Sequence, residues 1–202
     1  VARAKCLPGV SPSAQTLGGM NESAALALMS SALLALSIWR LGLVRPGYSH
    51  VSHTISELGE LGAPRSRLVS FGVFLPFGVS MLAVYWLSRP SNPSAANLAA
   101  CVGVGYLGAA LFPCDPGSPL VGSRRQSLHN LAGAVQYVGG AAVLWALGSA
   151  QSLFFVPAVA VGVTAVVLSL QVASRWRGGV QRVAEVALLS SLLIALGSSN
   201  AA

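Results

Sequence analysis

Residues 152 to 173 read SLFFVPAVAVGVTAVVLSLQVA, without one charged side chain. A helix needs about 20 consecutive apolar residues to cross the hydrocarbon of a bilayer, and this stretch supplies them. Its Ala, Val and Leu run lacks the in-and-out alternation of an outer-membrane barrel strand. Five further stretches of the same character lie at residues 22 to 42, 67 to 88, 95 to 112, 128 to 149 and 181 to 198. In lipid every backbone N–H and C=O must find its partner within the segment. The expected fold is therefore all-α, a polytopic membrane bundle of six transmembrane helices filling residues 21 to 202 as one domain.

Composition points the same way. The chain is 54% hydrophobic and 8% charged, whereas a soluble domain carries roughly 25% charged residues. A net charge of +7 could suggest a nucleic-acid partner, but its placement says otherwise. Arg40, Arg45, Arg65, Arg67, Arg124, Arg125, Arg175, Arg177 and Arg182 all flank helix ends on one face, while Arg3, Lys5 and Arg89 belong to the other. Such asymmetry orients a protein in a membrane. It puts the arginine-rich face in the cytoplasm of a cell (plasma) membrane protein, with both termini outside, and leaves no role for nucleic acid.

Residues 1 to 20 read as a disordered extension, or as sequence upstream of a start at Met20, since Asn21 before Glu22 has the form of a helix entrance. Cys6, Cys101 and Cys114 form no CxxC motif, and a helix would hold the last two about 20 Å apart, so no disulfide is expected. Pro76 inside the second span predicts a kink. Glycines at 103, 105 and 108, and at 133, 139 and 140, predict that the third and fourth helices pack closely at the centre. A weak echo, Ser66-Arg67, Ser123-Arg124 and Ser174-Arg175, recurs on the arginine-rich face.

The polar residues gather on that face. In the first connection a short amphipathic helix over residues 48 to 58 would align His50, His53 and Glu57. The third span stops at Phe112-Pro113-Cys114-Asp115. In the fourth, His129, Gly133, Gln136 and Gly140 form a small, polar stripe leading into the bundle. Arg182 and Glu185, three apart, are expected to neutralise each other.

At these residues the chain resembles DUF998, a family of uncharacterised six-helix bacterial and archaeal membrane proteins. The likeness is carried by Pro46-Gly47-Tyr48, by Ile55-Ser56-Glu57-Leu58-Gly59 with Gly62-Ala63-Pro64, by Phe112-Pro113 with Asp115, and by His129-Asn130, and it spans about Ser23 to Ala150. It implies fold and membrane location, and carries no activity. Ser56, Glu57, Asp115 and His129 match the family's recurring polar positions.

Two functions of different kinds fit. One is a noncatalytic module that binds a lipid or small amphiphile, or a partner protein, at a polar site on the cytoplasmic membrane boundary, with Ser56, Arg124 and Gln136 as ligand-binding candidates. The other is a membrane-embedded hydrolase or lipid-modifying enzyme. Glu57, Asp115 and His129 would then be catalytic, or would bind a metal. No cofactor is assigned, the bilayer is the expected partner, and a homo-oligomer is compatible with either reading. A secondary transporter is a third reading, weakened by the lack of paired interrupted helices.

Overall fold

The computed structural model describes residues 21–170 and 175–198; the expected N-terminal extension, with Arg3, Lys5 and Cys6, and Ser174 of the echo lie outside them. Among the described residues all regular structure is helical. Six helices are long and apolar enough to cross a membrane: α1 (Glu22–Leu43), α2 (Ser66–Ser88), α3 (Pro93–Leu111), α4 (Arg124–Ala150), α5 (Ser152–Leu170) and α6 (Arg177–Ser198). This is a multi-pass membrane protein. Its outer surface is studded with Leu, Val and Phe, and Trp39, Trp86, Trp145 and Trp176 are all exposed there, near helix ends where indole rings favour the headgroup level.

Helix starts double as fastenings. Asn21 caps α1 by accepting from Ala24 N at 2.7 Å, and its amide donates to Leu196 O of α6 at 3.1 Å. Asn92 does the same for α3, accepting from Ala95 N and donating to Ala195 O at 2.9 Å. Each cap satisfies an otherwise unpaired first-turn amide, and each ties its helix to the last turns of α6.

α3 packs on α2, α4 and α6, while α1 joins α2 to α6 and α5 joins α4 to α6. Small residues make this possible. Gly103 sits on Gly78 and Leu82 of α2, Gly105 on Gln136, and Gly108 on Ala132 of α4. The expected α3–α4 centre is thus α3 gripped from two sides. Gly140 meets Leu188 of α6, and Gly133 faces open space.

Pro76 disturbs α2 one turn earlier than its own position. A π-helical turn, Ser70–Phe74, precedes it, and Leu75 N–H bonds back to Ser70 O. Widening the turn accommodates a ring that has no N–H and crowds the preceding carbonyls. α4 contains a second π-turn, Val135–Gly139.

The expected helix over residues 48 to 58 does not form. Turns lead instead to one 3₁₀ turn, Ser56–Gly59. The carbonyls a helix would use are taken: Tyr48 Oη donates to Thr54 O at 2.9 Å, and Arg182 donates to His50 O and His53 O at 2.6 and 3.0 Å. Thr54 and Glu57 form a capping box, with Glu57 Oε1 accepting from Thr54 N and Oγ1 at 2.9 Å and Glu57 N donating to Thr54 Oγ1. His50, His53 and Glu57 therefore share no face. His53 stacks on Tyr48, His50 meets that ring edge-on, and Glu57 turns inward.

Candidate functional site

The two long connections are sewn together on the arginine-rich face. Arg45 donates to Glu57 O and pairs with Glu60 at 2.5 Å, the one ion pair among the described residues. Glu60 Oε2 accepts from Gly117 N at 2.7 Å, and Leu61 N donates to Cys114 O at 3.0 Å. Cys114 is fully buried beneath this seam, and burial pushes its thiol up to about 12. Arg177 closes the lid by donating to Gly117 O and Ser118 O.

Asp115 serves the same seam. Its oxygens accept from Ser123 N at 2.7 Å and Ser123 Oγ at 2.8 Å, and these bonds hold its carboxyl below the usual aspartate range. Ser123 caps α4, and Gln126, buried in the first turn, accepts from Asp115 N at 2.7 Å. Burial and the neighbouring Arg182 lower the His50 imidazole from its ordinary value, and burial raises the Tyr48 phenol.

Below the seam lies a cavity of about 300 Å³. Ser56 and His129 line its upper part. His129 Nδ1 lies 3.0 Å from Phe112 O; a carbonyl only accepts, so Nδ1 carries the proton and Nε2 remains an acceptor. Gly133 and Gln136 continue the stripe inward. At the bottom is a carboxyl group, Glu185, about 12 Å along α6 from Arg177 at 1.5 Å per residue. Gln136 Nε2 and Tyr137 Oη both donate to its Oε1, at 2.7 and 2.6 Å, and Gln181 Nε2 donates to Tyr137 Oη at 2.9 Å. Gln181 Oε1 accepts from Ile55 N at 2.6 Å, so the network reaches up into the first connection.

The π-turn explains how Gln136 and Tyr137, consecutive in sequence, reach one oxygen. Neighbours on an α-helix diverge by about 100°, and the wider turn reduces that angle. Two polar atoms of the cavity wall make no hydrogen bond of good geometry, Glu185 Oε2 and Tyr106 Oη, although the phenol stands near the carboxyl. Both residues are more than nine-tenths buried, at 6% and 4% exposure.

Of the sequence candidates, Ser56, His129 and Gln136 line the cavity; Glu57, Asp115 and Arg124 do not. Arg124 stands in the exposed first turn of α4. No three His, Cys, Asp or Glu side chains gather closely enough to hold a metal among the described residues, and Glu57, Asp115 and His129 lie apart from one another. Glu185 does not pair with Arg182 either, because that guanidinium faces Tyr48 and the first connection. Glu185, Tyr137, Tyr106 and Gln181 are the residues that sequence reasoning missed. Their signal was Gln181 and Glu185 four apart on one face of an apolar span.

The profile of a family described as "Protein of unknown function (DUF998)" matches residues 28–198. The chain belongs to the DUF998 family. The match runs past the Ser23 to Ala150 region of the sequence motifs and takes in α5 and α6, hence Gln181 and Glu185. Searches of curated proteins and of solved structures find no match to this DUF998 protein.

Proposed function

We propose that this DUF998 protein is a noncatalytic membrane module that binds a lipid or small amphiphile in the cavity over Glu185. One observation carries the reading: a carboxyl group deep in an apolar bundle keeps one oxygen unpaired against an opening of about 300 Å³. Polar groups at such depth demand partners, and their presence marks a ligand or ion path more often than packing. The hydrolytic alternative loses its support, since Glu57 caps a turn and Asp115 fastens Ser123. Charge placement supports a cytoplasmic arginine-rich face in the plasma membrane, which sets the cavity beneath the inner surface.

Gly133 supplies the test, because it lines the cavity and a Cβ added there meets nothing within 4 Å. Native mass spectrometry of gently solubilised protein is expected to show a bound amphiphile on the wild type. Gly133→Leu should lose it while its melting temperature holds or rises, as leucine favours the helix by about 0.5–1 kcal/mol over glycine. Undiminished binding in that variant would overturn the proposal.

A further inference from the structure

The cavity has a side door. Ala134 and Val138 of α4 and Ser169 of α5 line it and are also exposed on the apolar exterior. The segment Arg124–Ala134 stands away from α5, whereas the following π-turn and the rest of α4 pack against it. Among the described residues, the two helices thus leave a cleft that closes at the π-turn and opens toward the arginine-rich face. A pocket communicating sideways with lipid draws its occupant from the bilayer, and at this depth from the leaflet beside that face.

The back wall dictates what the occupant carries. Glu185 Oε2 and Tyr106 Oη stand near each other without a hydrogen bond of good geometry, which leaves room for a group that bonds to both. Among the described residues no cation pairs with them, although Arg182 is near enough for its charge to be felt at both. Arg182, three residues before Glu185, is taken up by Tyr48 and the His50 and His53 carbonyls, and Arg177 by the Gly117 and Ser118 carbonyls. An anionic head would be stripped of water and set beside a carboxyl group, whereas a hydroxyl or ammonium donates to Oε2. The volume equals about ten waters at roughly 30 Å³ each. That holds a small head and the first part of one chain.

Resting on the binding reading above, we infer that a single-chain amphiphile of the leaflet beside the arginine-rich face slides in between α4 and α5. It seats a hydroxyl or amine head on Glu185 Oε2 and Tyr106 Oη, and its chain leaves past Val138 and Leu168.

The test uses the full chain in phosphatidylcholine vesicles with three long-chain diazirine probes, identical but for an alcohol, amine or carboxylate head. Adducts are mapped by peptide mass spectrometry. The alcohol or the amine is expected to give saturable labelling at residues 134–138 and 165–169, and the carboxylate none. Which of the two labels more strongly identifies the head. Glu185→Gln, which keeps the shape and an acceptor oxygen, should cut amine labelling about tenfold or more, the loss of one charge-assisted bond, and leave the alcohol nearly unchanged. Glu185→Leu with Tyr106→Phe, checked for helicity and monodisperse elution, should abolish saturable labelling by both. Saturable carboxylate labelling equal to the others would overturn the head assignment. Saturable adducts confined to residues 115–122 would overturn the sideways route while leaving the binding proposal standing. No saturable adduct with any probe would overturn both.

Discussion

Tyr137→Phe removes a single oxygen from the centre of the buried network, and the structure says what that does. The hydroxyl donates to Glu185 Oε1 at 2.6 Å and accepts from Gln181 Nε2 at 2.9 Å. Glu185 keeps the donor from Gln136. Gln181 keeps the bond from Ile55 N, but its Nε2 is orphaned. By the rules for water-soluble proteins, a lost bond of about 1 kcal/mol plus a buried unsatisfied donor of about 1–3 kcal/mol would total roughly 3 kcal/mol. Hydrogen bonds between membrane helices average only about 0.6 kcal/mol, because the membrane-unfolded state also finds partners. Two such bonds give about 1.2 kcal/mol, and we expect a destabilisation of about 1–2 kcal/mol. The assay is reversible unfolding in mixed micelles followed by circular dichroism, run as a cycle with Gln181→Leu. That second change deletes the orphaned donor, so the double variant should be less destabilised than the sum of the singles by about 0.5 kcal/mol or more. Loss of the Ile55 bond enters one single and the double equally and cancels. Additivity within about 0.3 kcal/mol would refute the network as described.

Arg182→Gln should release the first connection, raising amide exchange across residues 48–55 roughly tenfold or more in hydrogen–deuterium mass spectrometry while α3 stays protected. Because the folded state holds Asp115 below the usual aspartate range, its contribution is complete above an unfolded value near 4 and is lost as pH falls through the lower folded value. Protection of the Ser123 amide should accordingly persist from pH 7 down to about 4 and fade only below, and Asp115→Asn should weaken it at every pH. Cys114, with its thiol at about 12 and no exposure, exists as thiolate on the order of once in 10⁴ molecules at pH 8. Maleimide should therefore leave it unmodified until detergent unfolding. With Cys6 and Cys101 replaced by serine, Val121→Cys at the 86%-exposed tip of the second connection should resist an impermeant maleimide in intact cells and react after lysis; labelling from outside would reverse the orientation.

The spans were legible because hydropathy over about 20 residues is a sum, and no single side chain can overturn it. The structure's boundaries differ from the expected ones mostly by a few residues, as at α6, which begins at Arg177 rather than at 181. The polar stripe on α4 was also legible, since three of its four members line the cavity. What failed were readings that assigned side chains to sequence neighbours. Arg182 and Glu185 are three apart, yet each finds a better partner on another element, Tyr48 for one and Tyr137 for the other. The amphipathic pattern of residues 48 to 58 was real, but a short helix gains less than the guanidinium and phenol gain by taking its carbonyls. Gly133 shows the converse. It shares the small-residue pattern of Gly105 and Gly108, and only three-dimensional placement reveals that it faces a void.

The widened turn of α4 means that the helix carries one residue more than its path requires. Counted along the sequence its two halves are one residue out of step, while in space they continue a single spiral. The inner half can present His129 and Gly133 to the cavity while the outer half independently presents Gly148 to Phe155 of α5. Removing one residue between Val135 and Gly139 would restore a regular spiral with both halves facing as they do now, whereas the same deletion in a regular helix would turn one half against the other by about 100°. The turn thus absorbs a change of length that a regular helix would pass on as a rotation of everything beyond it.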